Sequence, residues 1–262
     1  MQTENPKQIL FITGAFVSND CWNEWKDFYE SKGYKTIAPA WPHKDASAEI
    51  LRKRHPDPEV ASNRLEQLIE HYAKIARSFP EKPIIIGHSI GGLIAQILNQ
   101  KGLASSIVAI HSVPPQGILS FKFSFLKAGW GPLGFFTSTK KTFLMSFSQW
   151  QYAFTNGESF EAQKLAYEQL AIPESKLVVR DTITAVAKVD FNAPHNPILL
   201  IAGDNDHTIP HQLNYDNYKK YTHKNSITEY KLFPNRNHAV LGQHDWQEIA
   251  LYILIWLQKQ NN

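Results

Sequence analysis

Apolar residues along this chain fall into two kinds of run. Short blocks rich in apolar residues read as strands buried in a sheet: Ile9 to Thr13, Tyr34 to Ala38, Pro83 to Ile86, Ser106 to His111, Asn196 to Ala202 and Ile227 to Phe233. Between them lie longer stretches with apolar residues every three or four positions, the spacing of a helix with one buried face. Cys21 to Ser31 reads as one such helix, ended by Gly33, and Val60 to Phe79 as a second, with Leu65, Leu68, Ile69 and Tyr72 on one face. Ser89 to Gln100 reads as a third, with Leu93, Ile94 and Ile97 aligned, and Asp245 to Gln260 as the last. Pro39 to Pro58 carries neither pattern and reads as loop. Strands alternating with helices predict an α/β fold, a mostly parallel sheet of about six strands covered by helices.

The alternation breaks between Pro114 and Asp190. Such a segment is too long for an ordinary connection between a strand and the next helix. It predicts an inserted helical lid over residues 114–190, with a core formed by 1–113 and 191–262. Nine of the 15 phenylalanines lie between Phe121 and Phe160, and Trp130, Trp150 and Tyr152 join them. These aromatics are expected both to pack the insertion and to roof a substrate pocket, with Trp130, Trp150 and Tyr152 as candidate substrate contacts. Arg180 and Asp181 are expected to pair within the insertion.

Composition narrows the classes of function. Of 262 residues, 27 are basic and 24 acidic, scattered without runs of one sign, which argues against a nucleic-acid or anionic-membrane partner. The longest apolar run, Ile249 to Leu257, is nine residues, too short to span a bilayer. The first residues lack the basic start and long apolar stretch of a secretory leader, so a cytoplasmic protein is expected. One cysteine, Cys21, excludes an internal disulfide and is read as a packing residue. No His, Asp or Glu spacing matches a zinc site and no glycine-rich loop matches a nucleotide site, so no metal and no cofactor is expected.

The chemistry is concentrated in Gly87-His88-Ser89-Ile90-Gly91, set between an apolar strand and a helix. Average glycine usage gives roughly one chance match to Gly-x-Ser-x-Gly in ten chains of this length, so the flanking elements carry the argument. A sharp turn from strand to helix strains the serine backbone and exposes its hydroxyl. The residues two before and two after it are pressed together, which glycine allows. The helix then begins at the serine, and its free N–H groups face any developing negative charge, with Ile90 N–H as one oxyanion donor. Ser89 is therefore the candidate nucleophile.

A serine hydroxyl needs a base, and the base needs an orienting carboxylate. In this kind of fold the order along the chain is serine, acid, histidine. Beyond the fifth strand stand Asp204 and Asp206, and beyond the sixth stand His238 and, further on, His244. Asp206 and His238 are favoured; Asp204 suits a turn and His244 the start of the last helix. His88 is read as a buried packing residue, and His207 and His211 as surface or loop residues.

Together, Thr13-Gly14-Ala15-Phe16, Gly87 to Gly92, Gly203 to Pro210 and Asn237-His238 resemble the α/β-hydrolase superfamily over essentially the whole chain. The resemblance implies that Ala15 N–H joins Ile90 N–H in an oxyanion hole, and it singles out Asp206 through Gly-x-x-Asp-x-x-x-Pro. Phe16 is a candidate pocket residue; Trp22 is another, although a core role suits it better. Thr13 stands where the superfamily usually has histidine, and the fold's first two edge strands are missing or short. The implied activity is hydrolysis of an ester-like bond in a small, apolar substrate by a lid-bearing esterase, lactonase or haloperoxidase-like hydrolase. Ser89 argues against epoxide hydrolases and haloalkane dehalogenases, which carry aspartate there. Alternatives are perhydrolase chemistry, a hydroxynitrile-lyase type needing a cation such as Lys122, Lys127 or Lys140 near Ser89, and a ligand-binding protein without turnover.

Overall fold

The structure is a computed structural model that describes residues 7–118 and 123–260. Six strands form one sheet: β1 (Gln8–Ile12), β2 (Lys35–Ile37), β3 (Ile84–His88), β4 (Ser106–Ile110), β5 (Ile198–Gly203) and β6 (Thr228–Phe233). Their order is β2-β1-β3-β4-β5-β6 and every pair is parallel. Alternate residues along the strands face opposite layers, as the two-residue period of a strand requires. Leu10, Ile12, Ile85, Ala109 and Leu200 join one core, and Ile9, Phe11, Ile86, Ile110 and Ile201 the other. Each such aliphatic or phenylalanine side chain contributes about 1.5–3 kcal/mol by leaving water.

Helix α1 (Asn23–Glu30) covers the second of these faces, where Trp22, Trp25 and Tyr29 pack with the last helix. The stretch expected as loop holds a short helix, α2 (Ala48–Lys53), whose first turn is capped by the Ser47 hydroxyl. The expected helix from Val60 to Phe79 is divided into one turn, α3 (Pro58–Ala61), and α4 (Leu65–Ser78). Arg64 is extended between them, and the Asp181 carboxylate accepts the Leu65 N–H at the start of α4. An anion there meets the positive end of the helix dipole. The same carboxylate pairs with Arg64, while Arg180 donates to the carbonyls of Leu133 and Gly134. The expected pair of Arg180 with Asp181 is therefore replaced by one that ties the segment between β4 and β5 to α4.

Helix α5 (Ile90–Gln100) follows β3 directly. Between β4 and β5 the chain runs through α6 (Phe123–Leu133), α7 (Phe147–Ala153), α8 (Phe160–Leu170) and α9 (Lys176–Asp181). Helix α10 (His211–Lys220) joins β5 to β6, and α11 (Trp246–Lys259) ends the fold. Among the described residues no helix is long and apolar enough to cross a membrane. Because β2 lies on one side of β1 and β3 on the other, the order reverses between β1 and β3, and a crevice opens there beyond the carboxyl ends of the strands.

Candidate active site

Ser89 stands at that reversal. Its φ and ψ are 55° and −120°, a conformation that ordinary residues adopt only under strain. A Cβ on Gly87 would lie 2.1 Å from the Gly91 carbonyl oxygen, and one on Gly91 would lie 2.1 Å from the Ile12 carbonyl oxygen. Neither position can carry a side chain without moving the strands, which is the physical content of the motif.

His238 is fully buried on the loop after β6. The Ser89 hydroxyl donates to its Nε2 at 3.1 Å, and its Nδ1–H donates to Asp206 Oδ2 at 2.8 Å. Asp206 lies beyond β5, and its Oδ1 accepts the N–H groups of Thr208 and Ile209 at 2.7 and 2.8 Å. Burial alone would raise the Asp206 pKa. The electrostatic pull of the adjacent His238 and the hydrogen bonds from His111 and His238 outweigh burial and hold it well below the usual carboxylate range. This arrangement can take the serine proton as the oxygen attacks a carbonyl and hold the resulting imidazolium.

The rival residues are placed elsewhere. Asp204 is exposed and accepts the Asn235 N–H. His244 is exposed and lies 2.8 Å from Asp245. His88 is buried, its Nε2–H donating to the His238 carbonyl, and burial lowers its pKa well below the ordinary value.

Ala15 and Ile90 are both buried, and no described residue accepts a hydrogen bond from either N–H. The loop that carries Ala15 is held from several directions. Phe16, at φ 69°, donates its N–H to Glu174 at 3.3 Å, and its carbonyl accepts from Ile172 N–H. Glu174 is paired at 2.5 Å with Lys44, whose Nζ lies 3.9 Å from the centre of the Trp41 ring, and both charges are buried. Trp41 Nε1–H donates to the Thr13 carbonyl.

Trp22, a candidate for the pocket entrance but better suited to the core, is fully buried: it stacks on Phe11 and donates its Nε1–H to the Thr13 hydroxyl. The threonine that replaces the superfamily's histidine thus has a partner of its own. Trp150 stacks on Phe154 with centroids 4.6 Å apart, and Phe154 meets the His238 ring edge-on at 4.8 Å. Tyr152 instead packs on His207 and under Lys127 Nζ. Trp130 is 69% exposed and faces solvent rather than the crevice. Lys140 is exposed, and Lys122 lies outside the described residues.

A cavity of about 370 Å³ adjoins the site between α8, the loop after β1 and the turn after His238. His88, His238, Trp150 and Phe154 line it, with Val17, Leu165, Leu170 and Leu241 as apolar wall. Asp20, Glu24 and Glu158 are its charged lining, and no lysine or arginine borders it among the described residues.

Sequence reasoning missed His111. This residue follows β4, is fully buried, and places Nδ1 2.8 Å from the same Asp206 Oδ2. Its signal was available: a polar residue ending an apolar strand, at the end of the sheet where sites form. The ligand atoms of His111, Asp206 and His238 lie within 4.8 Å of one another. Two Nδ1–H groups directed at one carboxylate oxygen account for this spacing as hydrogen bonding, and metal binding would require both protons to leave.

The model of the alpha/beta hydrolase family matches residues 9–250, and the chain belongs to that family. No curated protein sequence matches it. Among solved structures it is similar to a tomato methylketone synthase bound to 2-tridecanone, at 16% identity and TM-score 0.70, covering 97% of this chain and 99% of that one. It is similar to a Paleococcus ferrophilus monoacylglycerol lipase at 16% identity and TM-score 0.68, with coverage of 98% and 96%. An Arabidopsis methylesterase aligns at 15% identity and TM-score 0.66, over 96% and 99%. Similarity at this level establishes the fold; the reaction must be argued from the site.

Proposed function

We propose that this protein is a carboxylic ester hydrolase for small, apolar esters, working through an acyl-enzyme on Ser89. The observation that carries the reading is the continuous hydrogen-bond chain from the Ser89 hydroxyl through His238 to the buried Asp206. His238 takes the serine proton as the oxygen attacks the ester carbonyl. Ala15 and Ile90 N–H hold the oxyanion, and His238 returns the proton to the leaving alcohol. Water, deprotonated by His238, then releases the acid. The lipase and esterase among the structural relatives lend support.

Residues 114–190 act as the lid in this reading, bringing Trp150 and Phe154 over His238. The apolar wall of the adjoining cavity suits an apolar acyl or alcohol group, and its all-acidic charged lining disfavours anionic substrates. Lyase chemistry of the hydroxynitrile type gains no support, because no cation borders that cavity among the described residues.

The test is labelling with a fluorophosphonate probe and location of the adduct by mass spectrometry. The expected result is an adduct on Ser89 that His238→Ala abolishes. A folded protein that takes no label at Ser89 would overturn the proposal.

A further inference from the structure

Asp206 serves two imidazoles. His111 Nδ1 and His238 Nδ1 each lie 2.8 Å from Oδ2, while Oδ1 holds two backbone N–H groups. A packing role alone would be met by an apolar ring. His111 instead keeps a left-handed φ of 46°, unusual for a residue with a side chain, and leaves its buried Nε2 without a partner among the described residues. Both features carry a penalty, and the contact with Asp206 helps to offset it.

The surroundings are shaped for that contact. A Cβ on Gly203 would lie 2.6 Å from His111 Cε1 and 2.2 Å from the Arg236 carbonyl oxygen, so the bare glycine lets ring and loop close on the carboxylate. His111 N–H donates to the Ile201 carbonyl, and the next residue, Ser112, donates its N–H to the buried Asn214.

We infer that His111 is a positioning residue: its Nδ1–H fixes the Asp206 carboxylate against His238 and draws off part of its charge, which tunes how firmly Asp206 holds the imidazolium formed during catalysis. This inference rests on the hydrolase reading above. Its physical basis is that each hydrogen bond donated to a carboxylate stabilises the negative charge and weakens its pull on a neighbouring imidazolium. Burial lowers the pKa of His111, which keeps the ring neutral and donating through one nitrogen. The titratable and charged groups around it are Asp206 after β5, His238 and Arg236 after β6, and His88 at the end of β3.

The sign follows. Without the His111 donor, Asp206 keeps more of its charge and holds an imidazolium at His238 more strongly. With p-nitrophenyl butyrate as substrate, His111→Leu should move the acid limb of kcat/KM upward by about 0.5–1 pH unit. It should also lower kcat about two- to tenfold at pH 6.5, with KM within about twofold. His111→Asn, whose amide reaches the place of Nδ1, should restore both. An acid limb in folded His111→Leu identical to the parent's would overturn the inference. Proton NMR of the histidine-labelled parent gives a reading that needs no leucine variant: two low-field Nδ1–H resonances are expected, one of them lost in His111→Asn. A single such resonance in the parent would overturn the His111 contact. Failure of fluorophosphonate labelling at Ser89 would overturn the hydrolase reading instead, so the two failures are distinct.

Discussion

The floor of the site and the helices above it are built differently. On the floor, Asp206 alone takes hydrogen bonds from two imidazoles and two backbone N–H groups, and Ser89 is fixed by a glycine contact on either side. Between β4 and β5, Trp130, Phe135 and Phe136 on and just after α6 are exposed. As Asp181 does at the start of α4, the end of α7 and the strand-like stretch near Glu174 grip the core. There the Thr208 hydroxyl donates to the Ala153 carbonyl, Ala239 N–H to the Phe154 carbonyl, and Phe16 N–H to Glu174. Proton transfer tolerates little misplacement of its atoms, whereas an apolar roof functions through area and shape. The contrast separates residues whose loss destroys chemistry from those whose loss changes little.

The largest effect is expected at the centre of the floor. Ser89→Ala should reduce turnover of p-nitrophenyl butyrate by about 10⁴-fold or more without lowering the melting temperature. Steady-state rates beside a thermal melt check this, and turnover within tenfold of the parent would move the chemistry away from Ser89.

Next comes the seam where the two regions meet. Lys44 and Glu174 are both buried, and removing one charge strands the other. Lys44→Met should cost about 3–5 kcal/mol in chemical denaturation, and adding Glu174→Gln should return part of it. A loss below about 1 kcal/mol would mean that the seam is held by packing alone.

The same division governs what the sequence made legible. Strands, order of elements and the Ser89 turn could be read because they rest on local pattern: apolar blocks, helical spacing, glycines at fixed offsets. Ser89, His238 and Asp206 converge because each ends an element at one edge of the sheet. Less legible was whatever depends on a partner distant in sequence. The break at Arg64 follows from Asp181, more than 100 positions away, taking the Leu65 N–H. His111 could be linked to Asp206 only once β4 and β5 were known to be neighbours. Trp130 could not be placed from composition, since an aromatic residue suits a core, a pocket or a surface equally well.

Acid should weaken the floor before it weakens the roof. Burial lowers the pKa of both His88 and His111. Their contribution is complete above the ordinary histidine range, near pH 6.5, and is lost as pH falls, because the unfolded chain binds protons that the folded site refuses. Below that range, each of the two that stays neutral in the fold adds at most about 1.4 kcal/mol per pH unit. The half-buried His55, His71 and His195 act in the same direction. Asp206, held below the usual carboxylate range, adds a further loss under about pH 4. Urea midpoints from pH 7 to 5 should fall steadily, with a shallower fall in His111→Leu. Identical slopes in the two proteins would show that His111 is free to protonate in the fold.

The smallest effect is expected at the most conspicuous aromatic of the insertion. Trp130 is 69% exposed and does not line the cavity beside His238, so the folded chain has removed little of its ring from water. Trp130→Ser should change stability by less than about 0.5 kcal/mol. The rate on a short ester such as p-nitrophenyl butyrate should stay within about twofold, since neither the Ser89 hydrogen bonds nor the Trp150–Phe154 stack involves Trp130. Longer esters make the comparison sharper. If kcat/KM for p-nitrophenyl octanoate falls about tenfold in Trp130→Ser while the butyrate rate holds, the exposed face of α6 takes part in binding and the insertion is more than a cover. If both rates hold, recognition is confined to the apolar wall next to His238.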